Sequence, residues 1–143
     1  MNNINITNLG KQSYTINEDT SKTIELDPTD LLVITRANEN LDKIGNITEE
    51  AFKATEESDL SAFATKLKEC DARARECINT IFDYDVCSVI YPTGSLFNAK
   101  DGKFVWEHIC ESLMELYAEN IKAEFEKVQK RVTAHTKKYV NKK

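Results

Sequence analysis

Apolar residues recur every three or four positions along two long stretches of the chain. The first stretch runs from Leu60 to Phe82 and the second from Val105 to Val132. This spacing puts the apolar side chains on one face of an α-helix, so each stretch predicts an amphipathic helix with one buried side. A turn-rich segment around Tyr91-Pro92-Thr93-Gly94-Ser95 separates the two. We therefore predict two long helices that pack as an antiparallel pair.

The first 26 residues alternate between apolar and polar over short runs, which is typical of β-strands. One strand is predicted at Asn3 to Thr7 or at Gln12 to Ile16, and a second at Lys22 to Leu26, with a turn at Asn17-Glu18-Asp19. An isolated hairpin is only marginally stable in water. We expect this hairpin to lay its apolar face on the helices.

The next segment carries start and stop signals for helices. Asp27-Pro28-Thr29-Asp30 predicts a helix that begins at Pro28, and Gly45-Asn46 predicts its end. A further helical piece is expected from Glu49 to Thr55, and Ser58-Asp59 is expected to cap the central helix. The boundary near Ser58-Asp59 is open, since these residues could also lie inside one long helix.

After the central helix, Pro92, Gly94 and Gly102 predict a structured connector with tight turns. Asp101 is predicted to cap the last helix, which should run from Lys103 to about Lys137. The fold class is therefore mainly α, a helical bundle with a small N-terminal β-hairpin. We predict a single domain, with the hairpin in residues 1–26, a helical core in 27–121 and a basic C-terminal helical extension in 122–143.

Composition supports a helix-rich fold and disfavours a β-sandwich or β-barrel. Of the 143 residues, 30% are charged and only 8% are aromatic. A chain of this length can bury about 68–70% of its unfolded surface, so it needs no metal or disulfide to hold its core. No stretch matches a signal peptide or a membrane-spanning helix, and we expect the protein to stay in the compartment where it is made.

The net charge of −5 is unevenly distributed along the chain. Residues 122–143 hold eight Lys or Arg and two Glu, a local charge of +6, which leaves −11 for residues 1–121. Such a division predicts a basic interaction tail, or attraction between the acidic body of one copy and the basic end of another.

Candidate chemistry is sparse. The chain has four cysteines and two histidines, Cys70, Cys77, Cys87, Cys110, His108 and His135. No pair has the spacing of a zinc site, no triad is recognisable, and no Gly-rich phosphate loop is present. We predict no metal, no cofactor and no catalytic residue, with the thiols acting as small apolar side chains. An enzyme would have to use Cys87, the cysteine outside the two apolar stretches.

The basic end of the chain could contact phosphates. Its cations are Lys127, Lys130, Arg131, Lys137 and Lys138, followed by Lys142 and Lys143. The acidic charge of the other 121 residues would repel a duplex, so the sequence favours a solvated helical face over nucleic-acid binding.

Interaction with another protein is the remaining class. Phe97, Phe104 and Trp106 cluster around the connector and are the predicted aromatic anchors of a partner-binding surface. Two interpretations remain open: these rings hold a partner helix in a groove, or they close the end of the bundle.

The order of elements resembles a known family. An extended hairpin and an acidic helix precede the run from Cys70 to Asp83, CDARARECINTIFD, and after the connector the last helix opens with VWEHICESL from Val105. This order resembles the small proteins encoded in tail gene clusters of siphophages and prophages of Gram-positive bacteria, of the tail assembly chaperone type. The resemblance covers roughly residues 20–121, and the basic extension beyond Ile121 goes past the family pattern.

The resemblance implies a non-enzymatic protein of the host cytoplasm. Such a protein coats the helical tape-measure protein before tail-tube subunits polymerise around it, and is then displaced. It also implies a homo-oligomer with no membrane association. The alternatives are a structural component of the virion tail, and a nucleic-acid-binding or regulatory protein that uses the basic C-terminal helix.

Overall fold

The structure is a computed structural model that describes residues 1–6 and 9–140, and for the last four of these only the backbone. The elements follow in chain order as β1 (Gln12–Ile16), β2 (Asp19–Leu26), α1 (Leu32–Ala54), α2 (Leu60–Phe82), α3 (Val86–Ile90), β3 (Ala99–Lys100), β4 (Lys103–Phe104) and α4 (Val105–Val140). The predicted fold class, mainly α with an N-terminal β-hairpin, is confirmed. Among the described residues, no helix is both long and apolar enough to cross a bilayer.

The N-terminal hairpin pairs β1 with β2 in antiparallel register. Its turn places Asn17 and Glu18 at positive φ, the pair of left-handed conformations that a two-residue hairpin turn requires. Ile24 and Leu26 of β2 are fully buried, so the hairpin does lay its apolar face on the helices. Of the two predicted positions for the first strand, the one at Gln12 is confirmed. Residues 3–6 form no strand, and Thr7 lies outside the described residues.

Helix α1 is continuous from Leu32 to Ala54, and the prediction of an end at Gly45-Asn46 is wrong. One buried face runs through the whole helix, formed by Val33, Ala37, Asn40, Ile44, Ile47, Thr48, Ala51 and Ala54. This face packs along α2, and the two helices form an antiparallel hairpin. Glu50 forms an ion pair with Arg73, and the side chain of Arg36 donates a hydrogen bond to the carbonyl of Ile81. A glycine inside a helix costs about 1 kcal/mol relative to alanine. The free energy gained by burying the nearby side chains of Ile44 and Ile47 is larger than this cost.

The predicted start of α1 at Pro28 is also wrong, because the helix begins four residues later. Asp27 accepts a hydrogen bond from the Thr29 backbone N–H at 3.4 Å, which closes a turn before the helix. The cap function passes to Asp30, which accepts from the backbone N–H of Leu32 at 2.9 Å and also binds Arg36 at 3.1 Å. Pro28 is buried beneath this turn.

The predicted central helix is confirmed at both ends. Helix α2 spans Leu60 to Phe82, and Asp59 accepts a hydrogen bond from the backbone N–H of Ser61 at 3.0 Å as its N-cap. At the other end Asp83 adopts the left-handed conformation with φ +52°, which stops the helix.

The connector after α2 contains two elements that the sequence analysis missed. A single helical segment, α3, opens it with Asp85 as cap, and a small hairpin of β3 and β4 closes it. Asp101 does not cap the last helix as predicted. With φ values of +54° and +77°, Asp101 and Gly102 form the two-residue turn of that hairpin. The carboxylate of Glu107 accepts from the Phe104 backbone N–H at 2.8 Å at the start of α4.

Helix α4 does not pack antiparallel to α2, so that prediction is wrong. Phe104, just before α4, contacts Phe52 at the C-terminal end of α1, whereas Tyr117 contacts Phe82 at the C-terminal end of α2. Because α1 and α2 are antiparallel, these contacts make α4 run in the same direction as α2. An antiparallel pair is formed by a short loop, and this connector is long enough to return along α2 first.

Replacing Gly45 with alanine should stabilise the protein by about 0.4–1 kcal/mol, because the unfolded chain loses freedom while the helix gains a better residue. A Cβ at this position would meet no atom within 4 Å. The free energy of unfolding in urea measures the effect.

Gly102→Ala is the matched control. It also has open space around the new Cβ, but its φ of +77° requires glycine, so this variant should lose stability. A Gly45→Ala protein that is less stable than the wild type would contradict the continuous helix.

Candidate partner-binding groove

An apolar groove lies where the end of α1, the start of α2 and the connector meet. It encloses about 250 Å³. Its lining residues are Thr48, Ala51, Phe52 and Thr55 of α1, Phe63 and Leu67 of α2, and Ser95, Phe97, Asn98 and Phe104 from the connector and β4. Pockets for small organic ligands are typically about 300–1,000 Å³, so this groove suits side chains of a partner better than a cofactor.

Four aromatic residues line the groove, and the rings of three of them, Phe52, Phe97 and Phe104, are in contact. The ring of Phe104 lies 5.7 Å from that of Phe52 and 5.9 Å from that of Phe97, the latter pair edge to face. Phe97 and Phe104 are half-buried, but Phe52 is 58% exposed. Aromatic residues with one face in solvent are typical anchors of protein interfaces.

The connector side of the groove is held by two charged residues of α2. Asp71 and Arg75 form an ion pair at 2.8 Å on successive turns. Asp71 accepts a hydrogen bond from the Leu96 backbone N–H at 2.7 Å, and Arg75 donates to the carbonyl of Gly94 at 2.6 Å. Hydrogen bonds to charged groups contribute about 1.5–3 kcal/mol each, so this clamp positions the segment that ends in Phe97.

Of the three predicted aromatic anchors, the structure brings two to the groove. Phe97 and Phe104 line it, whereas Trp106 packs against the core and its backbone N–H donates to the carbonyl of Leu96 at 3.1 Å. The indole Nε1 of Trp106 is buried without a hydrogen-bond acceptor among the described residues. Trp106 therefore supports the connector from the α4 side and is not part of the groove wall.

Phe52, Phe63 and Leu67 were missed as groove residues. Phe63 and Leu67 belong to the apolar stretch that predicts the central helix, and in the structure both are half-buried. Phe52 follows buried Thr48 by four residues, which places it beside the packed face of α1. A continuous α1 through Gly45 would have identified it.

The basic residues of the C-terminal helix lie far from the groove. Lys127, Lys130 and Arg131 are exposed on α4, and Lys127 pairs with Glu124 at 3.2 Å. Lys137 and Lys138 fall in the helix, but their side chains lie outside the described residues. No described side chain connects these cations to the aromatic groove.

All four cysteines are reduced and buried. Burial raises the pKa of the Cys87 and Cys110 thiols to about 12, and it raises the pKa of Cys70 and Cys77 as well. A neutral, enclosed thiol is a poor nucleophile and a poor metal ligand. Across residues 1–6 and 9–136, no three or more His, Cys, Asp or Glu side chains are arranged to hold a metal ion.

The two histidines are not placed as bases for these thiols. His108 contacts the carbonyl of Lys100 through Nε2 at 2.7 Å, at the mouth of the small hairpin. His135 lies in the exposed part of α4. The arrangement therefore offers contact surface and contains no poised nucleophile and base among the described side chains.

In the native protein all four thiols, Cys87 included, should react with an aromatic disulfide reagent at pH 8 only as fast as the protein opens, because buried thiols stay protonated. The release of the coloured thiolate, followed with and without urea, measures this rate. A Ser88→Cys variant is the control, since residue 88 is exposed beside Cys87 and should react at once. Immediate release by the wild-type protein would contradict the enclosure of its thiols.

Comparisons with protein-family models, with curated proteins and with solved structures find no match to this chain.

Proposed function

We propose that this protein is a non-enzymatic morphogenesis factor of phage tails, of the tail assembly chaperone kind, which binds the tape-measure protein in the host cytoplasm. The observation that carries the proposal is the groove walled by Phe52, Phe97 and Phe104. An amphipathic helix presents apolar side chains at intervals of three and four residues, and a shallow aromatic groove between helices accepts such a row.

The charge of the molecule supports the same role. Exposed carboxylates lie near the groove at Glu49 of α1 and at Glu56 and Glu57, just after the end of α1, and residues 1–121 carry −11 in total. A long apolar helix aggregates in water unless its surface is covered. An acidic cover both hides that surface and keeps the complex soluble.

Enclosed thiols support a binding role over a catalytic one. A cysteine enzyme needs a partly exposed thiolate beside a base, and Cys87 is buried with a raised pKa. The shape of the groove also supports a binding role. Its volume is small for a substrate molecule, and the groove is open to solvent along the exposed ring of Phe52.

Replacing Phe52 with serine should weaken binding of a tape-measure helix by about thirtyfold, because an aromatic anchor at the centre of an interface contributes ~2 kcal/mol or more. The wild-type chain, co-expressed with an apolar helical fragment of the tape-measure protein, should keep the fragment soluble and co-purify with it. Titration of the purified fragment then measures the affinity of each variant.

Ile34→Ser is the matched control for this experiment. Ile34 lies at the other end of α1 and is 56% exposed, close to the 58% of Phe52, so both variants lose a similar apolar surface. The control should bind as the wild type does. A fragment that stays insoluble, or one that binds Phe52→Ser unchanged, would contradict the proposed function. Recovery of the protein in purified virions would favour a structural tail component instead.

A nucleic-acid-binding or regulatory role is the second candidate, favoured by the exposed cations Lys127, Lys130 and Arg131. We expect no retention of duplex DNA at an ionic strength of about 0.15 M, because the acidic body repels phosphates over most of the surface. A gel shift across a salt series measures retention. Salt-sensitive binding that disappears when residues 127–143 are removed would favour this alternative over the chaperone role.

A further inference from the structure

The second half of α4 carries an apolar stripe that no other element covers within residues 1–6 and 9–136. Every side chain described from Lys122 to Thr136 is exposed. Three of these exposed side chains are large and apolar: Phe125, Val128 and Val132 are 57%, 48% and 50% exposed. Ile121, which precedes them, is half-buried. The spacing of four, three and four residues puts all four side chains on one face of the helix.

This spacing is that of a coiled-coil seam. Ile121 and Val128 occupy one core position of the heptad, d, and Phe125 and Val132 occupy the other, a. Glu124 and Arg131 then fall at the flanking position g, and Lys122 and Gln129 at the flanking position e. A solvent-exposed seam of this kind is completed by a second helix that presents the same pattern.

We propose that this face of α4 pairs with the same face of a second copy of the chain, with the two helices antiparallel. The charges at the flanks select this arrangement. In an antiparallel pair centred between Glu126 and Lys127, Phe125 packs on Val128 of the second copy and Ile121 on Val132. Glu124 then lies beside Arg131 of the second copy, and the two-fold axis makes this ion pair twice.

A parallel pair lacks these contacts. It would place Glu124 beside Gln129 of the second copy, so the ion pair between Glu124 and Arg131 could not form. The seam holds four core layers over about 18 Å, so the dimer is held by few contacts and is concentration-dependent.

The antiparallel dimer differs from contact between the acidic body of one copy and the basic end of another. It uses α4 from Ile121 onward, and none of these residues lines the aromatic groove. Loss of partner binding in groove variants therefore leaves the dimer intact, and loss of the dimer leaves the groove intact.

Sedimentation equilibrium of the full chain tests the proposal, with a monomer–dimer equilibrium as the expected result. Phe125→Ser should weaken dimerisation by at least about thirtyfold, because it removes a core side chain from two layers at once. Ile34→Ser, which removes a similarly exposed side chain from α1, should leave dimerisation unchanged. A chain that stays monomeric at every concentration overturns the proposal. So does a dimer whose dissociation constant is unchanged by Phe125→Ser.

A charge exchange tests the antiparallel direction. Glu124→Lys and Arg131→Glu should each weaken the dimer by about three- to tenfold, because each places two like-charged pairs across the seam. The double variant should recover the wild-type affinity, since it restores both ion pairs in reverse. Failure of the double variant to recover affinity overturns the antiparallel arrangement.

Disulfide formation gives an independent readout of direction. Val132→Cys alone should form no cross-linked dimer on oxidation, whereas a mixture of Val132→Cys and Ile121→Cys chains should cross-link to each other. Cross-linking of Val132→Cys with itself requires a parallel pair and overturns the proposal. The four native thiols do not compete, because all are buried. Circular dichroism of each variant confirms that the helices are formed.

Discussion

The return of the connector along α2 is the constraint on which the arrangement of the chain after Phe82 depends. Asp71 and Arg75 hold the backbone at Leu96 and Gly94 by charged hydrogen bonds, which draws the connector back toward the start of α2. Gly94 lies against the ring of Tyr91, so a Cβ at this position would displace that ring. As a result, α4 begins near the start of α2 and runs parallel to it.

That constraint also separates two surfaces of different character. At one end of the body, the connector completes an aromatic groove with Phe52, a surface suited to covering an apolar helix. At the far end, α4 extends past the body and leaves a narrow apolar seam between charged flanks. In the function and the dimer that we propose, the two surfaces act together, because paired copies bind neighbouring segments of one partner with greater total affinity.

The candidate site was only partly predictable, for reasons that particular residues make clear. Phe97 and Phe104 were found because aromatic residues in a polar connector stand out. Trp106 was assigned with them because it is close in sequence, but the first turn of α4 directs it to the core. Phe52 was missed because the sequence analysis ends the first helix at Gly45-Asn46. The helix continues because the cost of one glycine, about 1 kcal/mol, is small beside the free energy gained by burying a long helical face. The clamp of Asp71 and Arg75 carries no signal, since charged residues four apart on a helix are common on solvated surfaces.

The sequence by itself determined the elements whose signals are local and repeated. The apolar periodicity of Leu60 to Phe82 set α2 to the residue, and Asp59 marked its cap. Alternation and turn residues before Asp27 predicted a hairpin, but they left two positions open for its first strand. Only the tertiary structure decided which helices pair, in which direction α4 runs, and which aromatic rings meet. Those outcomes depend on contacts between residues far apart in the chain, such as Asp71 with Leu96 and Phe52 with Phe104. Periodicity shows that one face of a helix will be buried. That face can pack against any other apolar face of the molecule, so the long-range contacts decide which helix becomes its partner.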